Sequence, residues 1–149
     1  MTVMNVPTFE RFFRTAAGLD VDKSDVKRYN DFVLEQIRDL LIIAEATARA
    51  NGRDVIEPQD LPVTKGLQEC IHRFRKLDQG IGLGPILEDL ADRPQLDLTV
   101  IDETDAELPA IAGGISVGLA CAFPIIDPDM RNPQTTQWEQ AFRLFDLLL

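Results

Sequence analysis

Residues 24–51 read SDVKRYNDFVLEQIRDLLIIAEATARAN, and apolar side chains recur in this stretch at every third or fourth position. That spacing puts them on one face of an α-helix. Ser24 is a suitable N-cap, and Asn51-Gly52 supplies a stop, with no Pro or Gly between. We predict one helix of roughly 28 residues, about 42 Å long. A helix of this length needs a second long element lying across it. Its apolar positions are Val26, Tyr29, Val33, Ile37, Leu40, Leu41, Ala44 and Ala48.

A second long helix is predicted over residues 105–126, which include nineteen consecutive uncharged residues, 108–126. We expect it to cross the first long helix, so that each covers the apolar face of the other. The second helix contains Gly113, Gly114 and Gly118. Glycine inside a helix costs about 1 kcal/mol relative to alanine, so three of them need a structural reason. We predict that they allow close backbone approach where the two long helices cross.

The same segment has the length of a membrane-spanning helix, and Gly114-x-x-x-Gly118 matches a packing motif of such helices. Membrane helices are usually flanked by cations, but Arg131 is the only nearby cation here. A helix buried on all sides in a soluble protein has the same composition. We favour that interpretation, with association with a membrane through residues 108–126 as an alternative. The acidic flanking residues are Asp102, Glu103, Asp105, Glu107, Asp127 and Asp129.

The elements around the long helices occur twice in the same order, although the residues do not repeat. A short helix over residues 7–17 precedes the first long helix, and an extended stretch, residues 53–56, and a helix capped by Thr64 follow it. The corresponding second set is a short helix over residues 85–91, the extended stretch 96–101, the second long helix, a turn and a final helix. Between the sets lies a predicted linker of Gly80, Gly82, Gly84 and Pro85.

This order predicts an all-α protein of two units, residues 1–79 and 80–149, that together form one compact body. Two capping boxes, Thr104 with Glu107 and Thr136 with Glu139, mark helix starts in the second unit. The final helix is predicted to bury one apolar stripe as core. That stripe consists of Trp138, Ala141, Phe142, Phe145 and Leu148.

Residues 51–61, NGRDVIEPQDL, resemble the second loop of archaeal histones, and they follow a helix of suitable length. In histone folds an Arg and an Asp seven positions apart bridge this loop to the third helix, and Arg53 and Asp60 match that spacing. A guanidinium and a carboxylate suit such a closure because they form a bidentate bond. The pair is therefore predicted to be structural. In the second half Trp138, not an Asp, stands seven positions after Arg131.

Over its full length the chain resembles a small bacterial family of single-chain histone doublets, catalogued as a domain of unknown function. The resemblance implies two tandem helix–strand–helix units packed as an intramolecular pseudo-dimer. It also implies that Asp54-Val55-Ile56 pairs with the second-half strand around Leu98-Thr99-Val100. The likeness is carried by residues 17–21 (AGLDV), 61–62 (LP), 65–69 (KGLQE) and 132–135 (NPQT).

Charge is divided unequally between the two halves. Residues 1–76 carry twelve Lys or Arg and twelve Asp or Glu, whereas residues 77–149 carry three and thirteen, which accounts for the net charge of −10. Affinity for nucleic acid comes mainly from cations that displace counterions from phosphates. The second half is therefore a poor surface for DNA, although its acidity also serves solubility.

By the resemblance, DNA contacts would come from Arg11 and Arg14 on the first helix and from Arg53 in the second loop. The first loop, however, places Asp20 and Asp22 around Val21, where archaeal histones place an Arg and a Ser. The second loop reads Asp54-Val55, where they carry a Lys and a Thr. We therefore predict a protein-interaction or structural module that does not wrap DNA. Weak or specialised DNA binding by the neutral first half is the alternative.

Catalysis is not predicted. His72 is the only histidine and is expected to be solvated, while Cys70 and Cys121 lie among apolar residues and are expected in the core. No cofactor or metal site is predicted. The composition favours a cytoplasmic protein with an unidentified protein partner, and either a monomeric pseudo-dimer or further self-assembly remains open.

Overall fold

The computed structural model describes residues 4–81 and 95–149. Within these ranges the chain is mainly helical, which confirms the predicted class. The predicted short helix over residues 85–91, with Gly82, Gly84 and Pro85 of the predicted linker, lies outside the described residues. Gly80 lies inside a helix that continues to Ile81. The elements are α1 (Val6–Ala17), α2 (Val26–Ala50), β1 (Val55–Ile56), α3 (Lys65–Ile81), β2 (Thr99–Val100), α4 (Asp102–Asp105), α5 (Leu108–Ile126) and α6 (Thr135–Leu148).

Helix α2 is 25 residues long, and a 3-10 turn, Lys23–Asp25, precedes it. The prediction that Ser24 caps this helix is wrong, because Ser24 lies inside that turn. The Asp25 carboxylate instead accepts the backbone N–H of Asp22 at 3.2 Å. At the other end the predicted stop is present. Gly52 has a φ of +73°, a conformation that glycine adopts without the strain imposed by a side chain.

The two predicted capping boxes of the second half are wrong. The Thr104 hydroxyl is buried and donates to the Ile56 carbonyl oxygen at 2.7 Å, so it serves β1 and not its own helix. Helix α6 begins at Thr135, and the Gln134 backbone N–H donates to the Gln137 side chain at 2.6 Å. The cap therefore lies two residues before the predicted Thr136.

The two long helices, α2 and α5, meet in the core. The Tyr29 hydroxyl oxygen of α2 lies 2.6 Å from the Ser116 hydroxyl oxygen of α5. Ser116 donates its proton to the Ala112 carbonyl oxygen at 2.8 Å, so the tyrosine hydroxyl is the donor between the helices. Burial raises the pKa of Tyr29, which keeps this hydroxyl protonated.

The glycines of α5 face α3 and α6, contrary to the prediction that they face α2. A Cβ atom at Gly113 would overlap the Phe74 ring of α3. At Gly114 a Cβ atom would lie 2.5 Å from Ile71 Cγ1, and at Gly118 it would lie 3.2 Å from the Phe145 ring of α6. The physical reason is that α3 packs closely along α5, whereas Ser116 occupies the contact with α2.

The first and second halves of the chain also meet through loops, at both ends of α2. At one end β1 pairs with β2 in parallel, with Val55 opposite Thr99 and Ile56 opposite Val100. The pairing implied by the resemblance is therefore present. At the other end the Asp20 backbone N–H donates to the Arg131 carbonyl oxygen at 2.7 Å.

An aromatic cluster fills the core near the Asp20–Arg131 contact. Its centre is Trp138, which is fully buried. Of the stripe predicted for α6, Trp138 and Ala141 are buried and Phe142 and Phe145 are partly buried, but Leu148 is 77% exposed. In this last turn of α6 it is Asp146 that contacts α2, through Gln36, and Leu148 lies on nearly the opposite side of the helix. The rings around Trp138 belong to Phe9, Phe13, Phe123 and Phe142.

Candidate functional site

The loop between α2 and α3 positions the first candidate residue, Arg53. Its guanidinium forms an ion pair with the buried Asp60 carboxylate, and its Nε atom lies 3.5 Å from Glu57 Oε2. Asp60 belongs to a 3-10 turn, Pro58–Asp60, and also accepts the Glu57 backbone N–H at 2.8 Å. The charge of Arg53 is therefore compensated by carboxylates of the same loop, and the pair closes that loop.

Arg14, near the end of α1, pairs with the other loop. Its Nε atom lies 3.6 Å from Asp20 Oδ1, and both side chains are exposed. Asp20 follows Gly18, whose φ of +65° ends α1 and turns the chain towards the second half. Arg14 and Asp20 thus form a surface ion pair beside the contact with Arg131.

Arg11 lies one turn before Arg14 and its side chain is exposed. Its Nη2 atom donates to the Gly80 carbonyl oxygen at 3.4 Å, near the end of α3. Arg11 and Arg14 are neighbours on one helix face, whereas Arg53 lies at the opposite end of α2, which is about 37 Å long. The structure therefore does not bring the three predicted nucleic-acid contacts into one cluster.

Exposed carboxylates occupy both loop ends. Asp22 and Asp54 are exposed, and Asp97 beside β2 lies 2.8 Å from Arg49. Glu45 accepts the backbone N–H groups of Asp97 and Leu98 at 2.8 and 2.9 Å. Arg14, Arg49 and Arg53 at these ends therefore meet carboxylates of their own chain, whereas Arg131 is exposed. Further carboxylates face the solvent.

An apolar groove, which the sequence reasoning missed, lies between α3, α5 and the end of α6. It has a volume of about 510 Å³, within the usual range for ligand sites. A signal was present in the sequence, because the stretch 143–149, RLFDLLL, contains more leucines than one helix face can bury. The described lining residues are Thr64, Gly66, Leu67, Cys70, Gly114, Gly118, Ala122, Ile125, Leu144, Phe145, Leu148 and Leu149.

The two cysteines lie beside this groove and along the α3–α5 contact. Both are partly buried rather than enclosed in the core. Burial raises the pKa of the Cys70 thiol, which favours its protonated form at neutral pH. Cys121 Sγ lies 3.8 Å from Arg73 Nη1, a basic neighbour that the sequence reasoning did not identify. His72 is exposed.

Two further features of the described residues concern metal binding and association with a membrane. Across residues 4–81 and 95–149, no group of three or more His, Cys, Asp or Glu side chains is placed to hold a metal ion. Within the same ranges one helical segment, Asp102–Ile126, which comprises α4 and α5, is long and apolar enough to span a membrane. The chain itself buries 56% of the most apolar window of that helix, as expected of a core helix.

Comparison with known proteins finds uncharacterised relatives. Two uncharacterised proteins of Aquifex aeolicus (strain VF5) are 33% identical to this chain, over 106 and 73 residues, which are 71% and 48% of it. Those alignments span only 62% and 44% of the relatives' own lengths.

Two crystal structures resemble the whole chain. A protein from Thermus thermophilus shares 48% identity and superposes with a TM-score of 0.88, over 99% of both chains. A protein from Aquifex aeolicus shares 28% identity, with a TM-score of 0.83 over 97% of this chain and 95% of the other. The family model of a domain of unknown function (DUF1931) matches residues 9–146. The chain therefore belongs to this family of unknown function.

Proposed function

We propose that the chain is a histone-fold doublet whose two units form an intramolecular pseudo-dimer. In such a doublet each unit's first loop pairs with the other unit's second loop, so two loop contacts are required. The β1–β2 pairing and the hydrogen bond from Asp20 to the Arg131 carbonyl oxygen supply one contact at each end of α2. The crossing of α2 and α5 at Tyr29 and Ser116 also supports this arrangement.

The proposed role is that of a protein-interaction or structural module that does not wrap DNA. One observation carries it: two of the three predicted DNA contacts, Arg14 and Arg53, are held by carboxylates of the same chain. Arg53 pairs with Asp60 and Glu57, and Arg14 pairs with Asp20. A phosphate would have to displace these carboxylates and would then face the exposed Asp22 and Asp54. The affinity of a protein for DNA comes mainly from counterions that are released when its cations neutralise phosphates. Loop ends of this kind therefore lose most of the favourable free energy of DNA binding.

The proposal also covers partner, location and activity. The partner is a protein, and the chain acts in the cytoplasm without an enzymatic activity of its own. Helix α5 serves as the central core helix rather than as a membrane anchor, because α2, α3 and α6 cover it. Weak DNA binding remains the second candidate, since Arg11 and Arg14 are exposed neighbours on α1.

The test is fluorescence anisotropy of a labelled DNA duplex, titrated with the chain at several salt concentrations. We expect no binding by the wild-type chain at low salt. Asp20→Arg combined with Asp54→Lys restores cations at both loop ends. It should create binding whose log–log salt slope is about −1.8, since each of the two added cations contributes about −0.9 when it contacts a phosphate.

The matched control is Glu35→Lys combined with Asp39→Lys, which changes net charge equally on the exposed face of α2. This variant should gain much less affinity, because its cations lie away from the loop ends. Wild-type binding that strengthens sharply as salt falls would overturn the proposal in favour of the DNA-binding alternative. Equal gains by the two variants would show that position at the loop ends is irrelevant.

A further inference from the structure

The groove between α3, α5 and α6 is bordered by aliphatic side chains that project into the solvent. Ile125 at the end of α5 is 82% exposed, and Leu147 and Leu148 at the end of α6 are 81% and 77% exposed. Leu144, one turn earlier on α6, is 42% exposed. We call these four residues the aliphatic ridge. The ridge and the groove together form one apolar face at the C-terminal ends of α5 and α6.

The ridge and the groove are adjacent and share residues. Ile125, Leu144 and Leu148 line the groove and also project from it. Gly118 and Ala122 of α5 also line the groove, beside Phe145 and Cys70. An isologous interface uses the same patch on both copies, so a two-fold axis can set the ridge of one copy against the groove of the other.

The exposed area is large for a surface that faces only water. The four ridge residues together expose on the order of 500 Å², close to the largest apolar patch of an ordinary monomer before the groove walls are added. A stable dimer needs about 800 Å² from each partner. The ridge supplies more than half of that share, and the remainder would come from the surface that surrounds the ridge and the groove.

The chemistry of the face favours a second copy over other occupants. Its described lining is apolar except for Thr64 and Cys70, so it offers little to a charged peptide or a nucleic acid. A small apolar molecule would fill the groove but leave Leu147 in water, because Leu147 projects outside the lining. In a two-fold pair, the ridge of each copy enters the groove of the other and all four ridge residues are covered.

We propose that this face is the self-association surface of the chain, through which two pseudo-dimers pair about a two-fold axis. The surface is distinct from the loop ends, so the inference goes beyond the proposed function and does not depend on it. Each copy carries a net charge of −10, so long-range repulsion opposes pairing while apolar burial drives it. Self-association therefore strengthens as salt rises, in the opposite sense to DNA binding.

The experiment is sedimentation equilibrium of the full chain over a wide concentration range, at low and high salt. We expect a monomer–dimer equilibrium that shifts towards the dimer at high salt. Leu148→Glu places a carboxylate in the interface twice, once from each copy, and should raise the dissociation constant at least about 100-fold. Leu148 is mostly exposed in the monomer, so the monomer is expected to keep its fold.

The matched control is Ile42→Glu, because Ile42 is also an exposed aliphatic residue, at 50%. It lies on the face of α2 that carries Arg38 and Glu45, away from the groove, and this variant should dimerise like the wild-type chain. A wild-type chain that stays monomeric at all concentrations would overturn the proposal and assign the face to a different protein or to an apolar ligand. A Leu148→Glu dimer of wild-type strength, or equal loss in both variants, would also overturn it.

A second measurement covers the case in which Leu148→Glu does not fold. Hydrogen exchange of the wild-type chain, compared between dilute and concentrated samples, locates the contact without any substitution. Concentration-dependent protection of residues 122–126 and 144–149 supports the proposal. Protection confined to other segments contradicts it.

Discussion

The two halves of the chain meet at two loop ends, one at each end of α2, and different interactions close them. At the strand end, β1 pairs with β2, Arg53 pairs with the buried Asp60, and Thr104 donates to the Ile56 carbonyl oxygen. At the aromatic end, Asp20 and Arg131 share one backbone hydrogen bond, and the buried Trp138 packs among phenylalanine rings. Trp138 occupies the position, seven after Arg131, where the first half has Asp60. The molecule therefore has a buried ion pair at one loop end and a buried aromatic side chain at the other.

Because different interactions close the two ends, we expect different substitutions to destabilise them. The largest loss in the free energy of unfolding is expected for substitution of Trp138. Trp138→Ala removes a fully buried indole and should lower the free energy of unfolding by about 3–5 kcal/mol. Urea denaturation followed by circular dichroism measures this loss, because the substitution also removes the only tryptophan fluorophore. Trp138→Phe keeps a ring in the cluster and should cost clearly less. If Trp138→Phe cost as much as Trp138→Ala, a phenyl ring would not replace the indole, and stability at this end would depend on the indole itself rather than on the presence of a ring.

At the strand end the largest response is expected from Asp60→Ala. The substitution leaves a partly buried guanidinium facing only Glu57 at 3.5 Å, and it removes the acceptor of the Glu57 backbone N–H. We expect a loss of about 2–3 kcal/mol in the free energy of unfolding, measured by urea denaturation. Asp20→Ala breaks the exposed pair with Arg14 at the aromatic end and is the control, with a loss below about 0.5 kcal/mol. If Asp60→Ala and Asp20→Ala lowered the free energy of unfolding equally, the buried ion pair at the strand end would stabilise the protein no more than the exposed pair at the aromatic end.

A smaller response at the strand end is expected from Thr104→Val, which keeps the side-chain shape but removes the hydroxyl. The Ile56 carbonyl oxygen would keep only the Ile101 backbone N–H, which lies at 3.4 Å. The expected loss is about 1 kcal/mol, again from urea denaturation. Thr99→Val, at an exposed position of β2, should change stability by less than about 0.5 kcal/mol. A neutral Thr104→Val would mean that the strand pairing does not depend on this hydroxyl.

Periodicity and spacing predicted much of the fold from the sequence. The three- and four-residue steps of apolar positions indicated α2 and α6, and the uncharged run 108–126 indicated α5. The seven-residue spacing of Arg53 and Asp60 matches an ion pair that the structure contains. These features are local, since a helix face or a short loop is specified by residues close together in the chain. The resemblance to histone doublets added the pairing of β1 with β2.

The missed features depend on partners far away in the sequence. Thr104 has the pattern of a helix cap, but its hydroxyl binds the Ile56 carbonyl oxygen, 48 positions earlier. The glycines of α5 indicate a close approach, yet their own residue type does not say which helix approaches. Leu148 fits the apolar stripe of α6, but which turns of that helix are covered depends on where α2 and α5 lie. The groove was missed for the same reason.

The smallest expected effect concerns Asp25, which lies beside the aromatic end, and it appears only as a dependence on pH. Burial raises the pKa of this carboxyl above the ordinary value of 3.8, although the Asp22 backbone N–H, Arg28 and Trp138 favour its ionised form. The folded state therefore holds the proton more tightly than the unfolded chain does. Stability from this group is present below the unfolded pKa and is lost as pH rises through the folded pKa.

Asp25→Asn, which cannot ionise, removes this dependence while keeping an oxygen that can accept the Asp22 N–H. We subtract the free energy of unfolding of the wild-type chain from that of the variant. This difference should increase as pH rises from below 3.8 towards neutrality, and it should then become constant. Urea denaturation of both proteins across this pH range measures the difference, in which the other titrating groups cancel. A difference that instead favours the wild-type chain as pH rises would mean that Arg28 and the backbone N–H outweigh burial. The aromatic end would then depend on an ionised carboxylate, as the strand end does at Asp60.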